Sequence, residues 1–150
     1  MASETIALRD AGPGDLPGLL ELYRALNPSD PELTMHEAGA PFAAMLNQPG
    51  LTVFLAMHDG QPVATATLLI VPNLTRAARP YALIENVVTL EALRGRGYGR
   101  MVVRHAIEAA FAVNCYKVML LTGRDDPAVH AFYESCGFVQ NKTGFQIRQD

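Results

Sequence analysis

Positive charge, cysteine and long apolar runs are all scarce in this sequence, and each shortage removes a class of function. Lysine and arginine total 12 against 15 aspartates and glutamates, a formal net charge of −3. A chain whose main partner is nucleic acid carries a basic surplus, so no such partner is expected. The longest apolar stretches, such as "TATLLIV" (65–71), fall well short of the ~20 residues that span a bilayer, so no membrane partner is expected either. The opening "MASETIALRD" has an early glutamate and no apolar core, which is not the pattern of a secretory leader. Cys115 and Cys136 lack metal-ligand spacing, and without a leader they are expected as reduced thiols in a cytoplasmic protein. Repeats, low-complexity tracts and linkers are missing too. With 49% hydrophobic and 18% charged residues, the 150-residue chain is expected to form one domain, 1–150, around a packed core.

What is present is a change of period along the chain. Thr5 to Ala11 reads as a strand closed by "GPGD". Asp15 then caps a helix from about Leu16 to Leu26, with Leu16, Leu19, Leu20, Tyr23 and Leu26 or Ala25 on one face. "NPSDPE" breaks it, and a second helix covers His36 to Leu46 before "QPG". From Leu51 the pattern becomes that of strands. "LTVFLAMH" and "VATATLLIV" flank an Asp59-Gly60 turn, and "YALIENVVTL" follows the arginine-bearing loop 72–80. Gly97 to Val113 has helical spacing, with Val102, Ala106, Ala109 and Val113 as one stripe and Arg100, Arg104 and Glu108 opposite. A strand at 116–123, a short helix in "DPAVHAFYESCG" and a final extended or hairpin segment, "FVQNKTGFQIR", complete the order β-α-α-β-β-β-α-β-α-β. That is an α/β domain with a mixed sheet.

The most distinctive stretch is "RGRGYGR", Arg94 to Arg100, between a strand and a helix. Glycines let backbone N–H groups approach a ligand, and a helix start adds unpaired donors and partial positive charge. Arg94, Arg96 and Arg100 suit a polyanion such as pyrophosphate. An ordinary strand-to-helix turn with solvated arginines is the plain alternative. The third glycine comes one residue too early for G-x-G-x-x-G, and no G-K-S/T ending is present for a Walker loop.

The loop does match R/Q-x-x-G-x-G/A, the acyl-CoA pyrophosphate loop of the GNAT acetyltransferase superfamily, and the element order resembles that fold. From Ile84 to Arg148 the chain is most similar to the glucosamine 6-phosphate N-acetyltransferase branch. "IENVV", "RGRGYGRMVVRHAIEAA", "CYKVMLL", "FYESCGF" and the final "QIR" all have counterparts there. The resemblance implies a single-domain fold with a mixed, mostly antiparallel sheet flanked by about four helices. It also implies acetyl-CoA as cosubstrate, a small-molecule amine as acceptor, direct attack in a ternary complex, and a homodimer.

Site residues carry over by position. Arg94, Gly95, Arg96, Gly97, Tyr98, Gly99 and Arg100 would hold pyrophosphate. Backbone groups of Val87, Val88 and Thr89, on a splayed strand, would hold pantetheine, with the Val88 N–H facing the thioester oxygen. Asp126, Phe132 and Tyr133 would line the cofactor, and Tyr133 would give a proton to the departing thiolate, since a phenol's ordinary pKa is about 10. Glu85, read as a buried carboxylate on the face of Leu83, Val87 and Thr89, is either the general base or a paired strand-edge acid. Glu85, Asn86 and Arg148 would touch the acceptor.

The chain departs from the pattern at Asn86, where the branch has aspartate, at Glu91 in place of proline and at Asp126 in place of asparagine. His105 is expected to pack, His130 to pack or face the cleft, and Arg76 and Arg79 to meet an anionic acceptor or solvent. Cys136 is the rival nucleophile. Acceptors of other kinds (amino acids, polyamines, protein lysine) stay open, as does a module that binds acyl-CoA without turnover.

Overall fold

The computed structural model describes residues 3–149, so the first two residues of the stretch read for a leader lie outside it. These residues divide into a larger unit ending at Leu120 and a smaller one beginning at Leu121.

The larger unit holds one five-stranded sheet. Its strands are β1 (Ile6–Asp10), β2 (Leu51–His58), β3 (Gln61–Val71), β4 (Tyr81–Thr89) and β5 (Val118–Met119), in that spatial order. The first three pairings are antiparallel, while β4 and β5 run parallel. Asp59 and Gly60 both have positive φ (49° and 79°), the twist that joins β2 to β3 as a two-residue hairpin. Both strands are covered on both faces, which is why they read as apolar runs.

On one face α1 (Leu16–Leu26) and α2 (Met35–Asn47) cover the sheet. Leu16, Leu19, Leu22, Ala38 and Phe42 pack with Val53, Leu55, Met57 and Val88. Burying a leucine such as Leu19 or Leu22 contributes about 1.5–3 kcal/mol. The other face takes α4 (Tyr98–Ala112), where His105 meets Phe54 edge-on at 4.9 Å, so His105 packs as expected. The buried stripe of α4 is Tyr98, Val102, Val103, Ala106 and Ala110. At 3.6 residues per turn the stripe drifts, so it ends on Ala110 instead of Ala109, and Val113 is left 52% exposed. One further turn, α3 (Thr75–Ala78), lies in the 72–80 loop. Three successive left-handed residues, Arg76, Ala77 and Ala78, are spanned there by Asn73 Nδ2, which donates to the carbonyls of Thr75 and Arg79.

The smaller unit carries α5 (Pro127–Ser135). "YESCGF" is the end of this helix: Gly137, at φ 106°, donates to Glu134 at 2.9 Å, and Phe138 donates to Tyr133 at 3.2 Å. That is the two-bond closure that needs a left-handed residue just past the helix. α4 ends the same way, with Asn114 (φ 69°) donating to Phe111 and Cys115 to Ala110.

Two expectations differ from the structure. The strand expected over 116–123 is assigned only at Val118–Met119, and no strand is assigned over 138–149. A strand is a paired object, and alternation without a ladder partner does not make one. Val139, Phe145 and Ile147 are accordingly 75%, 90% and 99% exposed.

Candidate functional site

The start of α4 is the first component of the site. Gly97 occupies the cap position at φ 88°, where a side chain would be strained, and it offers no capping oxygen. The first helical bond runs from Met101 N–H to the Gly97 carbonyl. The N–H groups of residues 95 to 100 therefore meet no acceptor among the described residues. A Cβ built on Gly95 or Gly97 would meet nothing within 4 Å, so open space borders the loop. Arg96 and Arg100 are exposed and make no ion pair among the described residues, whereas Arg94 Nε is committed to the Thr89 carbonyl at 3.2 Å. Tyr98 offers only its backbone, because its ring is 3% exposed and lies against His58. The result is a row of unmet donors flanked by Arg96 and Arg100, neither ion-paired among the described residues, which suits a phosphate or pyrophosphate.

The end of β4 that feeds this loop is irregular. Thr67 faces Glu85 and Thr65 faces Val88, so Asn86 and Val87 together answer Ala66 alone. This is a β-bulge, and Asn86 takes the left-handed conformation (φ 54°) that asparagine tolerates better than most residues. Pairing with β5 stops at Leu83 opposite Met119, which leaves the outer edge of β4 open from Ile84 onward among the described residues. Such an edge has backbone donors and acceptors to offer an amide-bearing chain.

The bulge corrects two expectations. It reverses the alternation, so Glu85 shares its face with Leu83 and Val88, not with Val87 and Thr89. Glu85 is also exposed rather than buried, and its carboxylate makes no ion pair or hydrogen bond among the described residues. The N–H of Leu90 donates to the Val63 carbonyl at 2.9 Å, which fixes the parity of the ladder. Two residues back, Val88 aims its N–H at Thr65, and the backbone groups of Val87 and Thr89 turn to the open edge. Val88 is thus not the residue whose N–H faces outward.

Around Glu85 the structure gathers residues that periodicity did not single out for chemistry. Tyr23 reads in the sequence as part of an apolar helix face, yet its hydroxyl is buried and lacks a hydrogen-bond partner, as is that of Thr67. Burial pushes the Tyr23 phenol up from its ordinary pKa. Thr67 and Asn86 lie near enough to oppose that rise, without either closing a well-formed hydrogen bond. Arg76 and Arg79 are engaged elsewhere, Arg76 over the Tyr116 ring at 5.6 Å and Arg79 on the Asn114 carbonyl at 3.3 Å.

In the smaller unit, α5 carries the remaining candidates. Asp126 accepts the Ala128 N–H at 2.9 Å as a helix cap, and His130 Nε2 lies 2.8 Å from the Arg124 carbonyl. Tyr133 is half-buried, edge-on to Phe132 at 5.1 Å and to Phe138 at 6.1 Å. Burial and the Cys136 thiol raise its pKa, and Arg124 opposes them, so the phenol holds its proton at neutral pH. Cys136 is 4% exposed, and Arg148 is exposed. No group of histidines, cysteines and carboxylates among the described residues could hold a metal ion, and no described helix is long and apolar enough to cross a membrane.

Comparison with known proteins gives a consistent picture. A protein of Agrobacterium tumefaciens str. C58, described provisionally as an acetyltransferase, has been solved. It is 85% identical with a TM-score of 0.94, over 95% of this chain and 99% of its own. The glucosamine 6-phosphate N-acetyltransferase of Trypanosoma brucei brucei is 32% identical over 135 residues, 89% of this chain and 88% of that protein. An aminoglycoside N-acetyltransferase solved in complex with CoA is 18% identical with a TM-score of 0.82, over 99% of this chain and 97% of its own, a likeness of fold alone. The profile of the Acetyltransferase (GNAT) family matches residues 19–138. With that match over most of its length, the chain belongs to the GNAT acetyltransferase family.

Proposed function

We propose that this N-acetyltransferase moves the acetyl group of acetyl-CoA to the primary amine of a small molecule, an amino sugar phosphate of the glucosamine 6-phosphate kind. The observation that carries the reading is the row of unbonded N–H groups from 95 to 100, set at the end of a strand whose outer edge is open. Acetyl-CoA supplies a pyrophosphate, an amide-bearing arm and a thioester, and a donor cradle leading into a free strand edge suits that sequence of groups. The aminoglycoside enzyme of the same fold takes CoA, and the trypanosomal relative is a glucosamine 6-phosphate N-acetyltransferase.

In this reading residues 95 to 100 hold the pyrophosphate by backbone N–H groups, with Arg96 and Arg100 adding charge. Val87 and Thr89 give edge groups to the arm, and one of their N–H groups stabilises the negative oxygen of the tetrahedral state. Glu85, exposed on the α1/α2 face, draws the acceptor's ammonium and takes its proton directly or through water. Tyr133 gives a proton to the departing thiolate, a role its raised pKa permits, and Phe132 and Asp126 line the cofactor. A covalent route through Cys136 is disfavoured because that thiol is buried. We extend the reading to a cytoplasmic homodimer in which Arg148 meets the acceptor's phosphate.

The test is thiol release from acetyl-CoA across amino sugars, their phosphates, amino acids, polyamines and a lysine peptide, beside CoA binding by calorimetry. Turnover with an amino sugar phosphate is expected. CoA binding without turnover on any amine would instead mark a binding module, and neither binding nor turnover would overturn the reading.

A further inference from the structure

Three buried side-chain polar atoms lack a hydrogen-bond partner among the described residues: Tyr23 Oη, Thr67 Oγ1 and His58 Nε2. His58 has the carboxylates of Asp59 and Glu4 at 3.4 and 3.7 Å, so its ring is accounted for when charged. Tyr23 Oη has only Thr67 and Asn86 beside it, and neither closes a well-formed hydrogen bond. A buried hydroxyl without a well-formed hydrogen bond is costly, so two side by side are not what folding alone selects. Both lie on the α1/α2 face beside the bulge. Thr67 stands opposite Glu85, and Tyr23 projects from α1, which packs on β3 and β4, toward Thr67 and Asn86.

We propose that Tyr23 Oη and Thr67 Oγ1 hydrogen-bond the acceptor's hydroxyl groups, and that with Asn86 they select a hydroxylated amine over a plain alkylamine. The inference rests on the transferase reading and assigns its specificity to residues of α1 and β3. The chemistry divides cleanly. Glu85 can only accept and attracts a cation, so it reads the ammonium. The phenol, the threonine hydroxyl and the Asn86 amide are neutral and can both donate and accept, which matches hydroxyls of unknown orientation. A plain amine would satisfy Glu85 and leave the two hydroxyls bare. Sites built to hydrogen-bond a substrate hydroxyl discriminate strongly against analogues lacking it for that reason. Burial keeps the Tyr23 phenol protonated and able to donate.

The experiment compares wild type with Tyr23→Phe and Thr67→Val. It reads kcat/KM for glucosamine 6-phosphate, glucosamine and n-butylamine, together with the KM for acetyl-CoA and the thermal midpoint. Wild type should favour the two sugars over butylamine by about 100-fold or more. Each variant should lose about tenfold toward the sugars and nothing toward butylamine, at unchanged acetyl-CoA KM. The midpoint should stay or rise, because removing an unmet hydroxyl relieves the fold.

Unchanged sugar kinetics in both variants would overturn the proposal. So would a fallen midpoint with equal losses on all three amines, the signature of a structural hydroxyl. Wild type that acetylates butylamine as readily as glucosamine overturns the selectivity and leaves the transferase reading intact. If no amine is acetylated, that reading fails, and calorimetry of glucosamine 6-phosphate on the CoA-loaded protein decides the rest. Binding weakened about tenfold by Tyr23→Phe upholds the contact; absent or unaltered binding overturns it.

Discussion

Among the longer helices, α2 and α5 start closed by a side chain and α4 starts open. Just ahead of α1, Asp15 closes the preceding turn, accepting the Gly12 N–H at 2.7 Å and pairing with Arg9 at 2.6 Å, without capping α1 itself. At α2, Thr34 and Glu37 bond each other's backbone, and at α5 Asp126 caps Ala128 while Pro127 removes a donor. Only α4 begins on a residue with no side chain, and it leaves its first donors unmet. α4 and α5 end alike, so the contrast is confined to their starts. A closed start serves the helix, and an open one serves whatever anion comes to it. In the proposed reaction α5 acts through the Tyr133 side chain in its last turn, and α4 acts through the backbone of its first.

That division can be broken at several points. Tyr133→Phe removes the phenolic proton from the closed-start helix, and kcat should fall by about 100-fold or more. Its affinity for CoA should change little in calorimetry, and undiminished turnover would remove Tyr133 from the chemistry. Gly97→Asp gives α4 the cap it lacks and sets a carboxylate against the anion. The Kd for CoA should rise about tenfold to hundredfold, with far-UV circular dichroism preserved. Retained affinity would mean that the open start is not the anion site.

Asp126→Ala opens α5 and should cost about 1 kcal/mol, a fall of roughly 2–4 °C in the thermal midpoint. A parallel loss of CoA affinity would show that Asp126 also touches the cofactor. The smallest effect belongs to Asp15→Asn, about 0.5–1 kcal/mol because Arg9 is largely exposed. The Arg9 guanidinium and the Gly12 N–H hold the Asp15 carboxyl below its ordinary pKa. Its contribution is therefore complete above about pH 4 and lost as pH falls through the lower folded value. The midpoint difference between wild type and variant should be present at pH 7 and close in acid.

Much of the fold was legible because its signals are local. Asp59-Gly60 announced the hairpin, the leucines of α1 their shared face, and the glycine triplet the start of α4. The bulge was not legible. A lone asparagine in an apolar strand does not say that the ladder gains a residue, and with that phase unknown Glu85 was grouped with Val87 and Thr89 and the Val88 N–H was aimed outward. Tyr23 escaped for another reason: periodicity places its ring among apolar neighbours but says nothing of a hydroxyl at the far end. The segment 138–149 shows the reverse failure. Its alternation is plain, but pairing depends on a distant partner that no local pattern reports.

The extra residue at Asn86 also sets a rule of counting for β4. Exchanging side chains on this strand alters contacts one at a time. Deleting a single residue at 86 or 87 would remove the bulge and restore regular alternation, with Glu85 still opposite Thr67 and Val88 still opposite Thr65. Val88 would stay in the α1/α2 core, and what would go is the left-handed turn at Asn86 that displaces the strand beside the open edge. The extra residue is therefore one that the ladder on either side does not need.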